Sequence, residues 1–177
     1  MPLISERLYF RPYKDDDFEF LMSMLSDREM VSFIGDGEPK DRDGGKDFLN
    51  WIYHTYKVDD DLGLKVLVRK EDNTPVGHAG LVPQNIGEKQ EIEIGYWICR
   101  NYRNNGYATE SARALRNYGN EKLNIQRLIA LIQPGHLASE KVAERIGMEF
   151  EKKIKIEKQE VNLFSVLKKN FDNKARP

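Results

Sequence analysis

Arg103-Asn104-Asn105-Gly106-Tyr107-Ala108 is the stretch from which the rest of the chain can be read. It lies between the apolar run Ile92-Glu93-Ile94-Gly95-Tyr96-Trp97-Ile98 and a helical pattern that starts near Thr109, so a strand feeds a turn and the turn feeds a helix. Gly106 lets the backbone come close to a ligand, and Ala108 keeps the first helical turn narrow. The first N–H groups of a helix lack partners within it, and the helix dipole adds positive potential at the same end. The turn therefore reads as an anion site suited to phosphate.

Working outward, Ile92, Ile94, Tyr96 and Ile98 alternate with Glu91, Glu93, Gly95 and Trp97, giving one core face and one face carrying carboxylates. Before them, Leu64–Arg69 and Val76–Val82 flank the turn signal Glu71-Asp72-Asn73-Thr74-Pro75 and read as an antiparallel pair. Gly77 and Gly80 in its second strand mark a close backbone approach, a bulge or a plain twist. Residues 83–89 read as a loop. After the central turn, Ala108, Ala112, Leu115 and Gly119 share a helical face narrow enough to lie tightly on a sheet. Arg127–Ile132 is short and apolar, a buried strand ended by Pro134-Gly135. A helix over Ala138–Ile146 stops at Gly147, and Glu151–Lys158 with Val161–Lys168 alternate as a closing hairpin.

At the other end, Arg7-Leu8-Tyr9-Phe10-Arg11-Pro12 reads as a short strand stopped by proline. Asp15 is placed to cap a helix whose apolar stripe is Phe18, Leu21, Met22 and Leu25. A Gly-, Asp- and Lys-rich loop from Gly35 to Gly45 leads to a second helix faced by Phe48, Ile52 and Tyr56; Trp51 beside that face either packs or borders a substrate entrance. The order is strand, two helices, three strands, helix, strand, helix, two strands. The expected fold class is a mixed α/β sheet with helices on both faces, forming one domain over residues 1–170 with a frayed tail at 171–177.

Composition narrows the function. With Lys+Arg 28 against Asp+Glu 29 the formal net charge is -1, so no overall basic field draws in nucleic acid. The Lys152, Lys153, Lys155 and Lys158 cluster reads as a solvated strand face. One cysteine, Cys99, and three scattered histidines, His54, His78 and His136, supply neither a disulfide framework nor metal-ligand spacing, so no metal is expected. Mean hydropathy is -0.66, no apolar run approaches the length of about 18 residues that signals a membrane span, and the first residues lack a signal-peptide layout. The expectation is a soluble, cytoplasmic protein without membrane or nucleic-acid partners.

Four motifs in order resemble one family. Arg103-Asn104-Asn105-Gly106-Tyr107-Ala108 is similar to the Arg/Gln-x-x-Gly-x-Gly/Ala signature of the GNAT superfamily of N-acetyltransferases. Arg7–Pro12, Glu93-Ile94-Gly95-Tyr96-Trp97-Ile98 and Ala138–Met148 resemble the branch that acetylates the N-termini of ribosomal proteins, and its relatives. The Walker-type and Rossmann glycine patterns are absent.

The resemblance implies a mostly antiparallel central sheet splayed at a cofactor cleft, and acetyl-CoA as cosubstrate. Its pyrophosphate would rest on the backbone of Arg103, Asn104, Asn105, Gly106, Tyr107, Ala108 and Thr109, with the Arg103 guanidinium adding a charge-assisted contact. Its pantetheine arm would run beside Trp97, Ile98 and Cys99, where a backbone N–H polarises the thioester carbonyl. Glu93 matches the position where many members carry a general base for the attacking amine, and the competing reading is a solvated strand carboxylate like Glu91. Ser139 matches the serine of an Asn-x-x-Ser motif that protonates the departing thiolate, with a plain helix-end hydrogen bond as the alternative. The Asn of that motif is His136 here, which keeps hydrogen-bonding capacity near the cofactor but departs from the pattern.

The resemblance implies a primary-amine acceptor, a protein N-terminus, with a small amine (amino acid, polyamine or drug) as the alternative and a non-catalytic acyl-CoA sensor as a third. Residues from Gly35 to Tyr56, Trp51 among them, would line the acceptor side. Relatives are monomers or homodimers.

Overall fold

The structure, a computed structural model, describes residues 2–170; the expected tail at 171–177 lies outside the described residues. Strand β1 (Leu8–Arg11) is followed by helices α1 (Phe18–Leu25), α2 (Arg28–Val31) and α3 (Arg42–Val58). Then come β2 (Gly63–Arg69), β3 (Thr74–Ile86), β4 (Lys89–Ile98), α4 (Tyr107–Glu121), β5 (Arg127–Ile132), α5 (Leu137–Arg145), β6 (Glu149–Ile156) and β7 (Gln159–Leu167). The strands form one sheet in the order β1-β2-β3-β4-β5-β7-β6.

Every neighbouring pair is antiparallel except β4 and β5, which run parallel and meet at one register position, Glu93 opposite Ile129. Beyond it β4 stays with β3 as far as Ile98 opposite Gly77, while β5 stays with β7 as far as Ile132 opposite Asn162. The strands therefore part on the C-terminal side of Glu93, and their facing backbones open a wedge. Alternation of side chains sends Ile94 and Ile98 to one core, shared with Ala112 and Leu115 of α4, Val142 and Ala143 of α5, and Ile146 just after it. Trp97 points the other way, toward Leu21 and Leu25 of α1 and Leu49 and Ile52 of α3. Helices thus cover both faces, as expected for the GNAT fold.

Four local expectations change. Asp15 does not cap a helix: a 3-10 turn over Asp15–Asp17 comes first, and Asp15 accepts from the Tyr53 hydroxyl at 2.7 Å instead. Asp17 does the anchoring, taking both guanidinium nitrogens of Arg11 at 2.7 and 2.8 Å and the Lys14 N–H at 2.9 Å. The supposed loop to Gly45 ends at Asp41, whose carboxylate caps α3 through the Gly44 N–H at 2.8 Å. Gly45 is then buried in the first turn of α3, where a Cβ would lie 2.2 Å from Met22 Sδ. Residues 83–89 are not a loop: β3 and β4 stay paired out to Ile86 opposite Lys89. Pro83 is tolerated because β2 pairs only as far as Leu81, so the missing N–H faces an open edge. At Gly77 and Gly80 the backbones approach closely, since a Cβ on Gly80 would lie 2.0 Å from Gly63 O and one on Gly77 2.1 Å from Trp97 O. Beside Gly77 the β2–β3 register also shifts, between Leu67 and Val68, so both the close approach and an irregularity of the bulge kind are found there.

Candidate active site

The turn after β4 is built almost entirely from backbone geometry. Cys99 N–H bonds Val76 O at 2.9 Å and so ties the strand end to β3. A 3-10 turn over Arg100–Tyr102 follows. Asn104 and Gly106 then adopt left-handed φ values of 61° and 79°. Asn105 staples the turn by donating its amide to Tyr102 O at 3.0 Å and Arg103 O at 3.1 Å. Left-handed Gly106 starts α4 at Tyr107, two residues before the expected Thr109. A side chain at 106 would combine that strained φ with a contact of 3.4 Å to the Arg7 guanidinium. The N–H groups of Tyr107, Ala108 and Thr109 consequently belong to the first turn of a helix of 15 residues.

Side chains around this turn do not all face where a bound anion would be. Tyr107 is buried in the α4 core with Arg7 stacked over its ring at 4.6 Å, so its backbone alone is open to a ligand. Arg103 turns toward α2, with 3.3 Å to Glu29 and 3.1 Å to Met30 Sδ. Arg100 joins the same Glu29 at 2.7 Å. On β4, Ile98 packs against α4, whereas Trp97 lies 4.6 Å from the His78 ring and 5.9 Å from Phe48. Burial pushes the Cys99 thiol up to about 11, keeping it protonated at neutral pH. Trp51 is 40% exposed and meets Phe48 with ring centroids 5.3 Å apart and planes tilted by 60°, at the outer end of this aromatic group. His78 is fully buried, takes a 2.6 Å hydrogen bond with Tyr13, and is held neutral by burial, a structural histidine.

Glu93 sits where β4 and β5 part. Gln84 of β3 donates its amide to Glu93 Oε2 at 2.7 Å. The residue is half-buried, but its carboxylate is enclosed, and desolvation raises its pKa to about 7 against hydrogen bonds from Gln84 and the Leu131 backbone N–H. Glu91 on the same face is instead paired with Arg127 at 3.1 Å, and Arg127 also reaches Glu151 at 2.7 Å. The competing reading of Glu93 as a solvated carboxylate does not describe this environment.

Across the wedge, His136 occupies the residue before α5 without a capping bond from its side chain, and Ser139 stands in the first turn of the helix. Ser139 Oγ lies 3.4 Å from His136 Nε2. The imidazole stacks on Phe33 with ring centroids 4.5 Å apart and 9° between planes. Burial and the nearby Arg103 charge hold it below the ordinary histidine range. Tyr96 of β4 donates to Ser139 O at 3.1 Å, tying α5 to the strand. Gln84 and Tyr96 were not among the residues singled out from sequence. Gln84 fell in the supposed loop, and Tyr96 counted only as a core position, although a tyrosine hydroxyl on a buried face needs a partner and is a signal of one.

The wedge beside the α4 N-terminus, with the Glu93 carboxylate at its apex, is the candidate site of the chain. The acetyltransferase (GNAT) domain family matches residues 7–149, and the chain belongs to that family as an acetyl-CoA-dependent N-acetyltransferase. It is 33% identical over 156 residues to YkkB of Bacillus subtilis (strain 168), covering 86% of this chain and 88% of YkkB. To the N-acetyltransferase YnaD of the same organism it is 32% identical over 148 residues, 84% of this chain and 82% of YnaD. A GNAT-family acetyltransferase from Bacillus anthracis superposes with TM-score 0.80 at 26% identity over 96% of this chain and 99% of that one. Two more distant structures share the fold. One is RimL, a ribosomal-protein α-N-acetyltransferase in complex with coenzyme A (TM-score 0.78, 15% identity, 94% and 98% covered). The other is spermidine N-acetyltransferase from Vibrio cholerae with CoA and spermine (TM-score 0.74, 17%, 94% and 99%). Among the described residues no helix is long and apolar enough to cross a membrane.

Proposed function

We propose that the chain transfers an acetyl group directly from acetyl-CoA to a primary amine, with Glu93 as the base that deprotonates the acceptor. The single observation behind this is the position of Glu93, a desolvated carboxylate at the one register pair between β4 and β5, where the strands part. A carboxylate with a pKa of about 7 holds a proton weakly enough to be an anion in part of the population, yet is far more basic than an exposed glutamate.

Acetyl-CoA supplies the activated acetyl group. The left-handed Gly106 and the N–H groups of Tyr107, Ala108 and Thr109 suit a pyrophosphate, and the unpaired β4 edge from Ile94 to Cys99 suits an extended amide-bearing arm. Asn104 and Asn105 shape that turn, and Arg103 becomes a phosphate contact by releasing Glu29. The Ile98 backbone N–H polarises the carbonyl, since the Cys99 N–H is turned toward β3 and bonded to Val76 O and alternation turns Ile98 the other way. Glu93 accepts a proton from the attacking nitrogen, directly or through water, and the Ser139 hydroxyl gives one to the departing sulfur, with His136 at its oxygen. Glu93 gains one proton and Ser139 loses one, so the charges balance, and solvent then takes a proton from Glu93 and returns one to Ser139.

For the acceptor, the motif resemblance supports a protein N-terminus, and the segment from Gly35 to Tyr56, with Trp51, is the part of this chain assigned to it. The fold alone serves both acceptor classes, as RimL and the spermidine enzyme illustrate. Free-thiol release from acetyl-CoA, measured across peptides with Ser, Ala or Met N-termini and across spermidine, amino acids and aminoglycosides, decides it. Peptide turnover is the expected result; acetylation confined to small amines ends the N-terminal reading.

A further inference from the structure

Gln84 stands opposite Glu91 in the β3–β4 ladder, with Glu93 diagonal to it on the same face, and its amide reaches Glu93 Oε2 at 2.7 Å. An ionised carboxylate only accepts hydrogen bonds, so the Gln84 group in contact with it is N–H. After taking a proton, Glu93 becomes a donor and needs an acceptor. A primary amide carries both, and its last torsion is broad and roughly two-fold, so it can turn over to present its carbonyl. We propose that Gln84 is the positioning residue for Glu93: it fixes the carboxylate at the apex of the wedge and partners it in both states of the proton cycle.

The proposal rests on Glu93 being the base. Other groups packed around Glu93 fit a neutral partner at this position. From β5 it receives the Leu131 backbone N–H, and the nearest charges on that side, Arg127 with Glu91 and Glu151, satisfy one another. On its own strand Tyr96 is a neutral phenol directed at Ser139 O. A cation at 84 would hold the carboxylate as a stable anion, and an aliphatic side chain would leave it without its β3 partner.

Carboxyl-13C labelling of glutamate in the full chain, with Glu93→Gln identifying the resonance, reads the Glu93 titration without any acceptor. Gln84→Leu is expected to raise its midpoint by about one pH unit and Gln84→Lys to lower it by a similar amount. The acid limb of kcat/KM, measured with acetyl-CoA and either spermidine or a Ser-terminated peptide, should move with it. The Leu protein would lose about fivefold at pH 7 and recover by pH 9. Opposite shifts from the two variants cannot come from a general loss of structure, and circular dichroism checks each fold. If neither midpoint nor limb moves in correctly folded variants while Glu93→Gln abolishes the limb, Gln84 is not the positioning residue and the base reading stands. An acid limb that survives Glu93→Gln overturns the base reading, and the catalytic role of Gln84 with it.

Discussion

Glu91 and Glu93 project from the same face of β4, two residues apart, into opposite surroundings. Glu91 lies where β4 is bound to its neighbours by charge, through Arg127 and on to Glu151. Glu93 lies where the strands part and meets only neutral donors, Gln84 and a backbone N–H. The same side chain is thus ion-paired at one position and desolvated, with its pKa raised to about 7, at the other. At Glu93 no cation stands beside the carboxylate to offset the desolvation.

Exchanging each for glutamine tests the contrast directly. Glu93→Gln should lower turnover by about 10²–10⁴-fold while coenzyme A binding by calorimetry stays near wild type, and Glu91→Gln should leave turnover close to wild type. Equal losses from the two would collapse the distinction. Stability gives the next largest effect, with a sign that runs against activity. The Glu93 pKa rises from 4.5 to about 7 on folding. Between those values the native state holds a proton that the unfolded chain has released, so stability falls as pH rises through that window. Urea unfolding should therefore find Glu93→Gln more stable than wild type at pH 8 by on the order of 1–3 kcal/mol, with the gain gone at pH 4.

A smaller effect is expected across the wedge. Ser139→Ala should slow turnover by roughly tenfold, since a thiolate leaves well even without an acid; an unchanged rate would return Ser139 to a plain helix position. The smallest belongs to Glu91→Gln, which leaves Arg127 with Glu151 at a partly exposed site. It should cost about 1 kcal/mol at neutral pH, read from the urea midpoint.

The sequence carried the fold wherever periodicity and breakers agreed. Arg127–Ile132 matches β5 residue for residue, and Gly147, at φ 88°, ends α5 where a left-handed stop was expected. It misled where a breaker had a tertiary excuse. Pro83 reads as a loop from local rules, yet an open sheet edge accommodates it, and Gln84 was hidden with it. Gly45 reads as loop, yet helix packing requires it. Four-residue α2 is too short for any period to show, and Asp27, which caps it through the Glu29 and Met30 N–H groups, could have signalled it. Of the candidate site, residue types at motif positions were legible because chemistry restricts them. The partners that tune them were not: Gln84, Tyr96 and Phe33 come from other strands and loops, and only the folded chain brings them together.

The single register pair between β4 and β5 also has a mechanical side. The sheet is two wings, β1 to β4 and β5 with β7 and β6, whose seam carries one register pair, Glu93 with Ile129, the Glu91–Arg127 ion pair on its N-terminal side, and the helix packing on either face. The seam is tied on the N-terminal side of Glu93 and unpaired beyond it, so the end of the wedge away from Glu93 is the part with the fewest bonds to break if the wings part further. An elongated ligand entering from that end would leave Glu93 at the tied end of the seam.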